Sequence, residues 1–391
     1  MNLYFKNFKY KYIIILILLL ISNLLYYLAV YTYNDDLEEI KKYLNENLAC
    51  KLNYPNQFFF NKDKPKISIV IPTFNGEGYL KPVTRSIQNQ NFREIEIIIV
   101  DDGSMDDTIR VIKELMEEDK RIKFIKNSKN RGTLYSKTRG VLNSKGKYVM
   151  TLDHDNFYAN NNVLSTLYLE AEKDNLDLLG FASITTQVEM HNLRKKNFIN
   201  YFKTSIIKKP NIKKRILGFN TEHSCPFLCH YFIRKDLFLR VINQLGEEFI
   251  NRNIDSHDDT IIMFLLARNA LSLKHLKKIF YIIFIWPQNY SISLNFQQKV
   301  KKKERERKKC FSYLTFAEIL LLFTDDNKQD KKIASQHFLY WYFKDGKCQY
   351  KKDLNNDTIR ISNLYLNNQY ISRGTKKKIL FNLKKISSGI A

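Results

Sequence analysis

From Lys66 onward the chain runs in short apolar blocks separated by amphipathic ones. Ile67–Ile71 is a run of strand formers that ends in Pro72-Thr73-Phe74-Asn75. Gly76 and Gly78 then loosen a turn before a helix reaching about Gln90. Glu94–Val100 predicts a second strand running into Asp101-Asp102-Gly103-Ser104, and Asp106–Glu118 a helix with acidic residues in its first turn, where the helix dipole favours them. Arg121–Lys126 predicts a third strand, Asn130–Asn143 a loop and helix, and Tyr148–Leu152 a fourth, fully apolar strand. Strands alternating with helices at this spacing make βαβ units and a mostly parallel sheet, so the fold class is α/β.

The fourth strand gives out into Asp153-His154-Asp155-Asn156. Ligands of open α/β sheets bind beyond the carboxyl ends of the strands. Asp-x-Asp on extended backbone turns both carboxylates to one side, where they can hold a hard divalent cation against a diphosphate; the same residues could instead cap the helix predicted from about Asn160. No Gly-x-Gly-x-x-Gly follows the first strand, which argues against a dinucleotide-binding domain.

Further on, Leu176–Ala182 reads as another strand, and Lys195–Arg215, basic and broken by Pro210, as a mobile loop. Ser256-His257-Asp258-Asp259-Thr260 opens an apolar helix over Ile261–Leu271, with either aspartate able to cap it. Ile279–Ile285 is too short to span a bilayer and reads as a buried strand or helix piece. Lys299–Lys309 has the mixed charge of a solvated helix, and Phe311–Phe323 and His337–Phe343 predict helices of a C-terminal addition.

The amino terminus changes the picture. Tyr12–Tyr33 carries no charge and matches the roughly 20 residues that cross a bilayer as a helix. Lys6, Lys9 and Lys11 precede it, and Asp35, Asp36, Glu38 and Glu39 follow, so the positive-inside rule keeps residues 1–11 cytoplasmic and translocates the body. No small-residue cleavage pattern ends the run, so an uncleaved signal-anchor at 12–33 is expected, giving a single-pass type II protein. In a eukaryotic cell the body would then face the ER or Golgi lumen. Residues 34–65 read as a stem and linker, with Leu37, Ile40, Leu44 and Leu48 at helical spacing.

The formal net charge of +24 raises a nucleic-acid partner, but the basic residues are scattered and no binding module accompanies them, so none is expected. Five widely spaced cysteines form neither a dense disulfide scaffold nor a repeated metal pattern. His223, Cys225, Cys229 and His230 match no common zinc spacing, and the two cysteines read instead as small buried thiols beside a substrate loop.

Four blocks in order, Ser68-Ile69-Val70-Ile71-Pro72-Thr73-Phe74-Asn75-Gly76-Glu77, Ile98-Ile99-Val100-Asp101-Asp102-Gly103-Ser104-Met105-Asp106-Asp107-Thr108, Asn130-Arg131-Gly132 with Ser136-Lys137-Thr138-Arg139-Gly140, and Leu152-Asp153-His154-Asp155, resemble the family 2 glycosyltransferases of GT-A fold. The likeness is strong over 66–160 and weak to about residue 270. It implies a GT-A domain over 66–290, with a nucleotide-sugar half at 66–160 and an acceptor half at 161–290, followed by a helical extension over 291–391. By resemblance, Pro72, Thr73 and Phe74 lie along the nucleotide base, Glu77 stands near the ribose, and Asp102 accepts a hydrogen bond from the base, which suits uracil. Lys137 falls where the family has Arg, a counter-charge for the diphosphate or else a solvated helix lysine. Asp155 would ligate Mn²⁺ or Mg²⁺, with Asp153 supporting the ribose or the metal. Asn156 departs from the family's commoner Asp. Of the acidic pair, Asp259 resembles the family's base, with Asp258 its neighbour.

The resemblance therefore implies an inverting, metal-dependent transferase of the hexosyl or N-acetylhexosaminyl class. Its donor would be a nucleotide sugar and its acceptor a glycan, glycoprotein or glycolipid. Gln-x-x-Arg-Trp and multiple spans, marks of processive synthases, are missing, so single addition is expected. The alternative is a GT-A domain that has lost catalysis and binds a sugar or a partner.

Overall fold

The computed structural model describes residues 64–187, 205–217, 227–285 apart from 253 and 255–257, then 296–323, scattered positions between 331 and 348, and 355–387. The segment Tyr12–Tyr33 and all but the last two residues of the stem and linker lie outside them. Among the described residues no helix is long and apolar enough to cross a membrane. Residues 56–391 fall into one compact unit.

The sheet begins with β1 (Ile67–Thr73), whose seven residues are all buried, as expected of a strand covered on both faces. It pairs in parallel with β2 (Ile95–Asp101) on one side and β4 (Tyr148–Thr151) on the other, and β2 pairs in parallel with β3 (Ile122–Lys126). Helices α1 (Leu80–Gln88), α2 (Thr108–Glu118) and α3 (Thr133–Leu142) form the crossovers. Two polar residues sit inside this apolar layer and satisfy each other. Ser68 Oγ donates to Glu96 Oε1 at 2.6 Å, and Glu96 also accepts from Lys123 and from the amide of Lys145.

Beyond β4 the sheet becomes mixed. After β5 (Phe157–Tyr158) and α4 (Val163–Lys173) come β6 (Leu178–Gln187), β7 (Ile207–Lys208), α5 (Asn211–Leu217), β8 (Tyr231–Arg234), α6 (Lys235–Ile250), α7 (Asp258–Asn269) and β9 (Ser272–Ile285). The strand order is β3-β2-β1-β4-β8-β6-β9-β5, with β7 on β9. β8 lies antiparallel between β4 and β6, whereas β6 and β9 are parallel. Lys195–Arg215 is not a loop throughout: its described part is β7 and then α5, entered just after Pro210, which cannot continue a preceding helix but is tolerated at a helix start.

α7 is buried from Ile261 through Ala267, which explains why its sequence is apolar all round and not on one stripe. The solvated and apolar helices expected over 299–323 form one helix, α8 (Phe296–Phe323), followed by α9 (Asn355–Asn367) and α10 (Arg373–Ser387). Cys310 of α8 is disulfide-bonded to Cys348, 38 residues away. Closing a loop of that length is worth about 4 kcal/mol in the chain-entropy picture. A reductant should therefore lower the melting temperature of the helical end, monitored by differential scanning fluorimetry. An unchanged melt in the Cys310→Ser, Cys348→Ser double variant would show that the crosslink stabilises nothing.

Candidate active site

The register of the parallel strands sets the site. Thr73 lies opposite Asp101, and the chain leaves β1, β2 and β4 at the same edge of the sheet. The turn after β1 is then laced to the turn after β2. Asn75 donates its amide to Ser104 Oγ at 2.9 Å, and Met105 donates its own to Asn75 Oδ1 at 3.0 Å. Gly76 N–H donates to Thr108 Oγ1 at 2.7 Å. Glu77 Oε2 accepts the Asp107 amide at 3.1 Å, so one oxygen of its exposed carboxylate is engaged at the start of α2. Pro72 and Thr73 are buried, whereas Phe74 is 37% exposed at the strand end, where an aromatic ring can lie beside a ligand. The buried Thr73 hydroxyl has no partner among the described residues.

Asp102 is buried, and its carboxylate is engaged by donors of the protein itself. Oδ1 accepts from Asn127 Nδ2 at 2.8 Å and from the Arg131 amide at 2.9 Å, and Oδ2 accepts from the Gly132 amide at 2.8 Å. Burial raises its carboxyl above the usual range, against the pull of those three donors. Gly132 has φ of 86°, in the left-handed region that favours glycine, which lets successive amides turn toward one carboxylate. Asp102 thus shapes the loop that opens α3, a role in which Asn would leave donors facing an amide.

At the end of β4, Asp153 is tied down by Asn156 and by Tyr281, which the sequence did not flag. Tyr281 of β9 donates its hydroxyl to Asp153 Oδ2 at 3.4 Å and accepts the Asp153 amide at 3.3 Å, and Asn156 Nδ2 donates to the Tyr281 oxygen at 3.2 Å. Asn156 also reaches Asp153 Oδ2 at 3.4 Å. Where the resembled pattern has a third carboxylate, this chain places a neutral donor. Tyr281 could not be singled out beforehand, because it sits mid-strand between Phe280 and Ile282 and looks like core.

Lys137 and the acidic pair come together. Lys137 Nζ donates to Asp258 Oδ2 at 2.8 Å and to Asp259 Oδ1 at 2.5 Å, and lies 3.9 Å from Asp153 Oδ1. Its side chain is 4% exposed, so it is no solvated helix lysine, and its charge is engaged by carboxylates. Burial alone would push the ammonium down; Asp258, Asp259 and Asp153 outweigh it and hold it well above its ordinary value. Asp259 Oδ2 accepts the Leu228 amide at 3.2 Å. Burial, reinforced by the negative charges of Asp258 and Asp153 and opposed by Lys137, pushes the Asp259 carboxyl up to about 7. Removing one partner of a buried cluster of this kind costs about 3–5 kcal/mol. Lys137→Met should lose stability on that order in urea titrations and raise the Asp259 carboxyl further. An unchanged denaturation midpoint would contradict the cluster.

Asp155 is half-buried beside this cluster. Burial and the negative charge of Asp153 raise its carboxyl, with His154 pulling the other way. Two hard carboxylate donors on one turn are the donor set a divalent cation fits. Among the described residues no group of three or more His, Cys, Asp or Glu is placed to hold a metal. Cys229 is a buried thiol and His230 a buried imidazole pushed down to about 4 by desolvation; His223 and Cys225 lie outside the described residues.

The carboxyl edge of the parallel sheet thus gathers an Asp-x-Asp turn, a buried lysine and a helix-opening aspartate pair. Residues 68–238 match the family described as Glycosyl transferase family 2. The chain is 38% identical over 117 residues to the GalNAc(5)-diNAcBac-PP-undecaprenol beta-1,3-glucosyltransferase of Campylobacter jejuni, covering 30% of this chain and 38% of that protein. To the chondroitin synthase of Escherichia coli it is 28% identical over 232 residues, covering 59% of this chain and 30% of that protein. The matched part thus spans little more than a third of the first curated relatives, 38% in the glucosyltransferase. In fold, the chain is similar to S. aureus TarS 1–349 in complex with UDP-GlcNAc, with a TM-score of 0.56 at 15% identity, covering 83% of this chain and 91% of that one.

Proposed function

We propose that this protein is an inverting, metal-dependent glycosyltransferase that uses a nucleotide-diphosphate sugar, with a UDP-sugar favoured, and a glycan, glycoprotein or glycolipid acceptor. The observation that carries the reading is the convergence of Asp153, Lys137, Asp258 and Asp259 at the carboxyl edge of the sheet. In this reading Asp259 takes the proton of the acceptor hydroxyl as that oxygen attacks the anomeric carbon, and the bond to the nucleotide diphosphate breaks on the opposite face. A carboxyl group raised to about 7 suits a base working near neutral pH. Lys137 stays charged throughout and keeps Asp259 ionisable despite its burial. Asp155 and Asp153 would hold Mn²⁺ or Mg²⁺, which supplies positive charge to the departing diphosphate. Phe74 would lie against the nucleotide base, and Asp102 would act on it through the loop at Arg131–Gly132. UDP bound to the solved TarS structure supports the same donor class here. Assaying the purified protein for donor hydrolysis and transfer across UDP- and GDP-sugars tests the reading, and turnover of no sugar nucleotide would reject it.

For the topology, a type II arrangement is supported by the charge asymmetry around Tyr12–Tyr33 and by the Cys310–Cys348 disulfide, since disulfides persist in oxidising compartments. Protease added to sealed vesicles should then spare everything after Tyr33 until detergent is added. Digestion of the body without detergent would reverse the orientation.

A further inference from the structure

Asn251, Arg252 and Ile254, the described residues shortly before Asp258, are held from two sides. On one side stand α3 and the loop before it. Arg131 Nη2 donates to Asn251 Oδ1 at 2.6 Å, Thr133 Oγ1 donates to the Ile254 carbonyl at 3.4 Å, and Lys137, one turn further along α3, holds Asp258 and Asp259. On the other side stands α8, beyond the segment that matches the family, which ends at residue 238. Glu318 of α8 accepts from Arg252 Nη1 at 2.7 Å, and its two oxygens accept from Arg360 of α9 at 2.5 and 3.0 Å. The Arg252 guanidinium also lies over the Phe249 ring at 4.2 Å, and Phe249 meets Phe323 of α8 edge-on. Glu318 is only 7% exposed and Arg252 19%, whereas Arg360 is 48% exposed, so the Glu318–Arg252 contact is the buried one. A buried carboxylate between two guanidinium groups is costly to break and fixed in geometry.

We infer that Glu318 is a positioning residue for the Asp258–Asp259 pair, acting through Arg252, so that the C-terminal helices fix the acceptor-side carboxylates from behind. The geometry stands by itself; its catalytic meaning rests on the glycosyltransferase reading. Glu318 touches neither carboxylate of the pair. It fixes Arg252, six positions before Asp258, while α3 fixes Asn251, Ile254 and the pair itself from the front. An error of about 1 Å in a positioned group can cost on the order of 100-fold in rate.

The test compares the full-length protein in detergent with its Glu318→Gln and Arg360→Ala variants. Hydrogen exchange read by mass spectrometry over residues 251–260 is measured together with steady-state transfer. Glu318→Gln keeps size but removes the buried one of the two carboxylates that pair with Arg252, the other being the exposed Glu248. The substitution should speed exchange over 251–260 while β1, β2 and β4 stay protected, and lower kcat by about 10- to 100-fold with the donor KM unchanged. Arg360→Ala removes only the half-exposed partner and should leave both readouts near wild type. Unchanged exchange over 251–260 in Glu318→Gln overturns the inference. So does equal loosening in Arg360→Ala, which would make Glu318 one contact of general helix docking. If the wild-type protein transfers no sugar, the glycosyltransferase reading fails, and the exchange data still decide whether Glu318 holds this segment.

Discussion

Asp259→Asn should lower sugar transfer by about 10²–10⁴-fold, the usual cost of losing a general base, while nucleotide affinity and folding survive. Both of its oxygens are engaged, one by Lys137 and one by the Leu228 amide, and an Asn can still accept at one of these positions. What it cannot do is take a proton. The pH dependence gives a second measurement on the same residue. With its carboxyl pushed up to about 7, Asp259 is protonated and inactive below that value. The wild-type kcat should therefore fall about tenfold for each pH unit below about 7 and level off above it. The linkage to stability has the opposite sense. Its folded value exceeds its unfolded one of about 4, so the folded state holds the extra proton between the two. The associated stabilisation is present below about 4 and lost as pH rises through about 7. If Asp258→Asn is inactive and Asp259→Asn is not, the base is the neighbouring carboxylate. A flat pH profile from 5 to 8 would remove the base from this helix start altogether.

How far the sequence carries depends on whether a contact is local. β1 and β2 were legible because strands buried on both faces are continuous apolar runs, and the start of α7 was legible because two aspartates precede one. The turns laced by Asn75, Ser104 and Thr108 belong to motifs that can be recognised, although their cross-bonding cannot be. Lys137 shows the limit: it lies 121 positions from Asp258, and nothing in its helical neighbourhood tells a surface lysine from one buried among carboxylates. Tyr281 reads as core because it is core, and only the β9 register aims its hydroxyl at Asp153. Arg252 and Glu318 are unremarkable charges within amphipathic stretches until α8 packs beside α6. The Cys310–Cys348 bridge was illegible for the same reason, since five scattered cysteines specify no pairing.

Asp155→Ala should abolish both donor hydrolysis and transfer, and it should do so without weakening the fold. The two halves of that expectation come from one observation. Burial and the Asp153 charge raise the Asp155 carboxyl, so at neutral pH its ionised form is harder to maintain in the folded protein than in the unfolded chain. By linkage, this stabilisation belongs to the protonated form: it is present at low pH and lost as pH rises through the raised value. Alanine removes the unfavourable charge, and the melting temperature at pH 7 should hold or rise, as expected where a site is built for activity at some cost in stability. Asp153 behaves differently because Tyr281 and Asn156 donate toward it, so Asp153→Ala should lose stability along with activity. Wild-type transfer should stop in EDTA and return with Mn²⁺ or Mg²⁺, whereas no added ion should rescue Asp155→Ala. Full turnover in EDTA, or wild-type rates in Asp155→Ala, would reject a cation at this carboxylate pair. A marked drop in the Asp155→Ala melting temperature would instead show that the residue serves the fold, and that its lost activity says nothing about a metal.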